Sequence, residues 1–355
     1  MCAAGAIRVL IVDDNRTTRK VIRAALESEG IAVVGEAGTG LEAINQVRAL
    51  HPDLVTMDNE MPVMNGLEAI ERIMAEHPVP ILVVAAQVGV RTAFSAISKG
   101  ALDVLELQAE PGAPWPALIK KVRLLAKVDI TAHLAAMKHR DQPAPAPPAP
   151  PAPAPRPAPR KAHAVQDLAI VAIAASTGGP QALQVLLSHL PAFPVPIVVA
   201  QHMTSGFSKG MTEWLDGAAA LTIREAEDGE TLHAGTVYVN PPECSMRISA
   251  EGVVRLEEPA AHLIYHPSCD FLLKSVAKAY QGRAVAAILT GMGSDGVAGM
   301  RAVKAAGGFT LAQDEATSVV FGMNRLAVEA QCIDKVISLH DLAAELLRLA
   351  LPAPW

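Results

Sequence analysis

A run of proline divides this chain. Between residues 143 and 159, ten of the seventeen residues are proline and six are alanine. Proline has no N–H to donate and a ring that fixes φ. The run can join neither a helix ladder nor a sheet; it favours extended polyproline II and buries no core. At ~3.1 Å per residue it spans roughly 50 Å as a semi-rigid spacer. Whatever folds must fold on either side of it. The 355 residues allow that, at ~100–200 residues per domain. The expected organisation is a first domain over 1–130, a Pro/Ala-rich linker over 131–166 and a second domain over 167–355.

Both flanks alternate apolar strand-like runs with amphipathic helix-like runs. Before the spacer, strands are expected over 8–12, 32–35, 54–57, 81–86 and 103–107. Helices are expected over 17–28, 40–50, 67–76, 92–99 and 115–127. Five βα units imply a parallel sheet covered by helices. After the spacer, strands are expected over 168–175, 197–201, 284–290 and 309–312, with helices from 181, over 271–279 and over 297–306. Residues 236–239 and 246–256 read as β-rich insertions. The fold class is therefore α/β, with two doubly wound parallel-sheet domains, one flavodoxin-like and one Rossmann-like.

Charge and cysteine usage remove several classes of function. A formal net charge of −6 disfavours a general nucleic-acid binder. The four cysteines, Cys2, Cys244, Cys269 and Cys332, have neither metal-ligand spacing nor the density of a disulfide framework. A reducing cytoplasm fits them. No signal peptide is expected, and no apolar run approaches the ~20 residues needed to span a bilayer.

The first flank carries an acidic constellation. Asp13 and Asp14 end the first expected strand and Asp58 ends the third. Neighbouring strands of an open parallel sheet share one crevice at their carboxyl ends. Three carboxylates gathered there repel one another unless a hard cation joins them, and Mg²⁺ suits such an oxygen site. Taken singly, each is a solvated loop acid. The runs Val9-Leu10-Ile11-Val12-Asp13-Asp14 and Asp58-Asn59-Glu60-Met61-Pro62-Val63-Met64-Asn65-Gly66 resemble the receiver domain of two-component response regulators. The resemblance implies that Asp58 is a phosphoacceptor, that Asp13 and Asp14 hold Mg²⁺ with it, and that the Glu60 carbonyl completes the site. The sequence departs from the receiver pattern twice. Ala85 and Ala86 follow Val84 where a Ser or Thr is expected, and Leu107-Gln108 stand where a Lys-Pro pair is expected. The groups that contact and neutralise a bound phosphoryl are therefore missing; the nearest lysine, Lys99, lies on the preceding helix. Two readings stay open: a receiver whose phosphorylation evokes a weak response, and a degenerate receiver that only docks or covers the second domain.

The second flank carries a serine site. Ser176 stands where a buried strand breaks into Thr177-Gly178-Gly179-Pro180 and a helix, so its hydroxyl lies at a helix N-terminus whose amides can stabilise an oxyanion. An ordinary N-cap reads the same way in isolation. His202 follows the next strand and faces the same crevice, as a general base. The stretch Thr290-Gly291-Met292-Gly293-Ser294-Asp295-Gly296 contains Gly-x-Gly-x-x-Gly, a dinucleotide fingerprint. Asp295 within it would oppose a pyrophosphate; its better use is to hold the His202 imidazole in its working tautomer.

Together with Gln201-His202-Met203, Glu225-Ala226-Glu227-Asp228-Gly229, Ala312-Gln313-Asp314-Glu315-Ala316 and Val320-Phe321-Gly322-Met323, these motifs resemble the catalytic domain of the chemotaxis protein-glutamate methylesterases. The resemblance implies hydrolysis of glutamyl methyl esters on chemoreceptors, with release of methanol, and in some members deamidation of receptor glutamines. It makes Ser176 the nucleophile, His202 the base and Asp295 its orienter. The Met292 amide and the turn at Thr177 become the oxyanion hole. It also implies a receiver that blocks the active site until a chemotaxis histidine kinase phosphorylates it, no cofactor for catalysis and no membrane insertion. Tyr265-His266-Pro267-Ser268-Cys269-Asp270 departs from the family's usual His-Arg-Pro-Ser-Val-Asp; His266 is expected on a surface loop and Cys269 in the core. The competing classes are a non-catalytic regulatory protein of a chemosensory pathway and, further off, a dinucleotide oxidoreductase or a DNA-binding regulator.

Overall fold

A computed structural model describes residues 6–85, 90–106, 115–138, 168–203, 205–259 and 265–351. The whole proline run, together with Ala86, Leu107 and Gln108, lies outside them.

The first domain is a five-stranded parallel sheet in the order β2-β1-β3-β4-β5. Its strands are β1 (Arg8–Val12), β2 (Ala32–Ala37), β3 (Leu54–Met57), β4 (Ile81–Ala85) and β5 (Asp103–Glu106). Helices α1 (Arg16–Ser28), α2 (Gly40–Leu50), α3 (Gly66–Glu76), α4 (Val90–Ser98) and α5 (Pro116–Leu125) cover it. Local chemistry fixes where α1, α2 and α3 start. Asn15, Thr39 and Asn65 side chains accept from the amides of Thr17, Glu42 and Glu68, each satisfying one orphan donor of the first turn. β3 is buried along its whole length because helices cover both faces. A further helix, α6 (Ile130–Lys138), occupies the start of the segment read as linker.

The second domain holds a seven-stranded parallel sheet, order β14-β13-β12-β6-β7-β9-β8. The strands are β6 (Ile170–Ala175), β7 (Ile197–Gln201), β8 (Thr222–Glu225), β9 (Thr236–Val239), β12 (Ala284–Ile288), β13 (Phe309–Gln313) and β14 (Lys335–Ile337). β10 (Ser245–Ile248) and β11 (Val254–Glu257) form a separate antiparallel hairpin. The hairpin is an insertion as expected, but β9 is not: it pairs with β7 and β8 inside the main sheet. Its four-residue run looks too short for a core strand, and only the non-local pairing completes its burial. Among the described residues six α-helices pack around the sheet: α7 (Gly179–Ser188), α8 (Ser208–Asp216), α9 (Cys269–Tyr280), α10 (Val297–Ala305), α11 (Met323–Glu329) and α12 (Leu339–Ala350).

β6 and β12 are buried end to end, and their alternate residues feed two separate clusters. Val171, Ile173 and Ala175 pack towards α7 and α12, while Ile170, Ala172 and Ala174 pack towards α9 and α10. In register, Ala175 sits beside Gln201 and Ala174 beside Ile288. The carboxyl ends of β12, β6 and β7 therefore finish side by side, which places the crevice.

Candidate active site

Ser176 and His202 follow directly on β6 and β7, and Asp295 lies in the loop that joins β12 to α10. The Ser176 amide donates to the Thr290 carbonyl (3.1 Å) and the His202 amide to the Ala175 carbonyl (3.0 Å), so both backbones are fixed before any side chain is considered. His202 Nδ1 lies 3.1 Å from Ser176 Oγ, and His202 Nε2 lies 2.8 Å from Asp295 Oδ2. The carboxylate keeps the ring proton on Nε2, which leaves the Nδ1 lone pair aimed at the serine hydroxyl. The structure brings the three residues of the sequence reading into one hydrogen-bonded chain.

Glycines let the pieces close. A Cβ on Gly179 would meet Gln201 Oε1 at 1.8 Å, and one on Gly291 would meet Ser176 Cβ at 2.6 Å. Gln201 in turn donates through Nε2 to the carbonyls of Ser176 and His202 (both 2.9 Å), tying the ends of β6 and β7 together. The Gly291 loop is held from behind: its carbonyl accepts from the amides of Gly322 and Met323, and its amide donates to Val320. That is the structural work of the 320–323 motif. Thr177 and Met292 flank the serine on the two loops, and among the described residues neither backbone amide is engaged elsewhere.

No motif in the chain points to what holds Asp295. Its Oδ2 accepts from the Cys269 amide (2.7 Å), and its Oδ1 accepts from the Asp270 amide (3.0 Å) and the Ser268 hydroxyl (3.2 Å). These are the first donors of α9, so the carboxylate sits on a helix N-terminus. Asp270 reciprocates: its Oδ1 accepts from the amides of Gly296 (2.9 Å) and Gly299 (2.7 Å) at the start of α10. Burial alone would raise the Asp295 carboxyl, but the His202 ring and the amides of Asp270 and Cys269 outweigh it and hold it below the ordinary value. Cys269 is fully buried as expected, yet its Sγ lies 3.3 Å from His202 Nε2. Burial and the neighbouring Asp295 push its thiol well above the usual range, so it stays protonated. His266 is exposed, and its carbonyl accepts from the Met203 amide.

The first domain covers this crevice. A cavity of about 590 Å³ is lined by Ser176, His202 and Met292 on one side and by Leu105, Lys120 and Leu124 on the other. Its rim is closed by α4. Phe94 is 2% exposed, stacks on Trp214 (centroids 5.8 Å) and meets Phe207 edge-on (6.0 Å). Ser98 and Gln184 hydrogen-bond beside them, and Val319 joins the apolar cluster of α5. One continuous buried cluster thus runs from the first domain into the second.

At the other sheet, Asp13, Asp14 and Asp58 place their carboxylate oxygens within 4.8 Å of one another. Burial, with Asp58 and Asp14 nearby, pushes the Asp13 carboxyl up to about 6, and burial raises Asp58 as well. Arg19 reaches the cluster only at the backbone carbonyls of Asp13 and Asp14. Hard oxygen donors with unbalanced charge fit a divalent cation such as Mg²⁺. Ala85 ends β4 in place of a hydroxyl residue, and the expected lysine position, Leu107, is outside the described residues.

Comparison with known proteins agrees with this pairing of sites. The family model for the CheB methylesterase matches residues 171–346, and that for the response regulator receiver domain matches residues 9–112. The protein-glutamate methylesterase/protein-glutamine glutaminase 3 of Paramagnetospirillum magneticum is 48% identical over 355 residues, covering 98% of each chain. The chain belongs to the protein-glutamate methylesterase/protein-glutamine glutaminase family. The family's representative in Geobacillus kaustophilus is 39% identical, over 97% of this chain and 98% of its own length. The crystal structure of the Thermotoga maritima CheB methylesterase catalytic domain aligns with a TM-score of 0.50 at 40% identity, covering 51% of this chain and 98% of that one.

Proposed function

We propose that this methylesterase hydrolyses glutamyl methyl esters on chemoreceptors and releases methanol, with Ser176 as nucleophile. The single observation that carries the reading is the continuous Ser176–His202–Asp295 hydrogen-bonded chain at three adjacent strand ends. Ser176 Oγ attacks the ester carbonyl as His202 Nδ1 takes its proton. The amides of Thr177 and Met292 receive the developing oxyanion. The imidazolium returns the proton to the departing methoxide, leaving a glutamyl ester of Ser176. Water, deprotonated by the same nitrogen, releases the glutamate carboxylate and restores the serine. A glutamine side chain enters the same cycle with ammonia as the leaving group, which gives the glutaminase activity carried in the relatives' names. Asp295 never needs to take the proton; it orients the ring and stabilises the imidazolium.

The receiver domain regulates access. Asp58 is its phosphoacceptor for a chemotaxis histidine kinase, and Asp13, Asp14 and Asp58 would hold Mg²⁺, which when bound supplies positive charge against the three carboxylates. No helix among the described residues is long and apolar enough to cross a membrane. The protein acts from the cytoplasm on the receptors' glutamyl side chains. The test is methanol release from methylated receptor fragments. Wild-type protein should release it and Ser176→Ala should fall by more than about 10³-fold. Equal release from both would remove the serine mechanism. Silence from both would favour the binding-only regulatory reading.

A further inference from the structure

We propose that Tyr265 is a positioning residue for the catalytic base, and that the receiver acts on the base through it. The inference rests on the esterase reading above. The Tyr265 ring lies over the His202 imidazole, with centroids 5.0 Å apart and planes 12° from parallel. The stack fixes the one rotation that the two in-plane hydrogen bonds leave soft. Tyr265 is itself held. A Cβ on Gly293 would stand 2.6 Å from its hydroxyl, so the ring fills the space that this glycine leaves. The bond from the Met203 amide to the His266 carbonyl (3.2 Å) clamps its loop to the residue after His202.

The same ring carries a cation from the other domain. Lys120 of α5 places Nζ 5.6 Å from the Tyr265 centroid, within cation–π range. Its neighbour Lys121 is paired to Asp103, whereas Lys120 makes no ion pair among the described residues. As His202 takes the serine proton it becomes a second cation on this ring. An aromatic ring already engaged by an ammonium offers the imidazolium less. The docked receiver therefore seats a competing cation on the ring that stacks on His202, as well as covering the site. Asp295 and the Cys269 thiol contact the imidazole directly, and Lys121, Glu243 and His266 line the same cavity. Lys120 alone among these charged groups is seated on the stacking ring.

The experiment is the pH dependence of kcat/KM for methanol release by the full chain. Tyr265→Phe should keep the wild-type profile. Tyr265→Leu should lower kcat about two- to tenfold with KM little changed, and move the acidic limb to lower pH. Lys120→Met should raise kcat about two- to fivefold and move the acidic limb up by about half a pH unit. In the Tyr265→Leu background that upward move should vanish. A Lys120→Met gain with the limb unmoved would mean a looser lid and nothing more, and would overturn the proposal. So would the same shift in both backgrounds, which would be a direct field effect. If Tyr265→Leu does not fold, an NMR titration of the His202 ring, assigned by its loss in His202→Gln, decides on Lys120→Met alone: no upward shift overturns the proposal. That titration needs no turnover. A wild-type protein silent for methanol would therefore sink the esterase reading without deciding this one.

Discussion

The two domains build acidic sites by one topological rule and give them opposite electrostatics. In each, carboxylates stand at the carboxyl ends of neighbouring parallel strands. Asp295 receives two backbone amides, a hydroxyl and an imidazole, and its carboxyl is held low. Asp13 is equally buried, with one backbone donor, the Asn15 amide, against two neighbouring acids, and its carboxyl rises to about 6. Burial penalises both charges; what differs is the supply of donors. A carboxylate on a helix N-terminus is a finished internal part. One left among other carboxylates is a receptor for a cation.

Removing the finished carboxylate should have the largest effect. Asp295→Asn preserves shape but hydrogen-bonds the wrong ring tautomer, and turnover should fall about 10³–10⁴-fold with the fold intact. Steady-state methanol release together with circular dichroism checks this. A loss below about tenfold would mean that the α9 donors, not His202, are the business of this carboxylate.

The lid that joins the two sites comes next. Phe94 fills the aromatic gap between α4 and α8. Burying a phenylalanine stabilises by about 1.5–3 kcal/mol, and here that energy holds one domain on the other. Phe94→Ala should therefore raise esterase activity of the full chain by about tenfold or more while each domain stays folded. Unchanged activity would show that the covered state is not what limits substrate access.

The unfinished site makes the receiver sensitive to pH. Asp13 binds its proton more tightly folded, at about 6, than at its ordinary value of 3.8. The folded state therefore holds more protons between those values, and stability falls as pH rises through about 6. The loss is on the order of 2 kcal/mol, read as a drop in the melting temperature of the receiver between pH 5 and pH 7. Mg²⁺ should abolish the drop and Asp13→Asn should flatten it. At Asp295 the sign is reversed: its lowered carboxyl contributes stability that is present at neutral pH and lost only on strong acidification.

The contrast also shows what a sequence discloses. Strand and helix periodicity placed the sheet ends, because β1, β3, β6, β7 and β12 are short apolar runs closed by turn residues. Once strand ends are placed, Ser176, His202, Asp13 and Asp58 follow, since they stand directly beyond them; Asp295 lies further on, in the Gly-rich stretch between β12 and α10. The reciprocal caps of Asp295 on α9 and Asp270 on α10 were invisible. They join residues 25 apart through backbone amides, which no residue-type pattern records. By sequence β9 looks like an insertion, because its strand character is completed only by β7 and β8. Phe94 has the spacing of an ordinary core residue of an amphipathic helix. Nothing in that spacing says that the core it enters belongs to the other domain.

Phosphorylation tests the unfinished site most sharply, and the expected effect is the smallest. In a receiver the signal leaves the acid cluster when a hydroxyl at the end of β4 and a lysine after β5 close on the new phosphoryl group. Here those positions are Ala85 and Leu107. A methyl group has no hydrogen bond to offer a phosphoryl oxygen, and a leucine has no charge. A phosphoryl group placed on Asp58 would therefore fail to move α4, whose Phe94 is anchored by two aromatic contacts. A small-molecule phosphodonor with Mg²⁺ should change esterase activity of the wild-type chain by less than about twofold, and Asp58→Asn should behave as wild type. Stimulation of tenfold or more that depends on Asp58 would mean that charge added at the cluster reaches α4 without the two missing groups. Restoring them as Ala85→Ser with Leu107→Lys separates the cases. If coupling failed for want of contacts, the double variant gains a phosphodonor response that neither the wild-type chain nor its Asp58→Asn derivative shows.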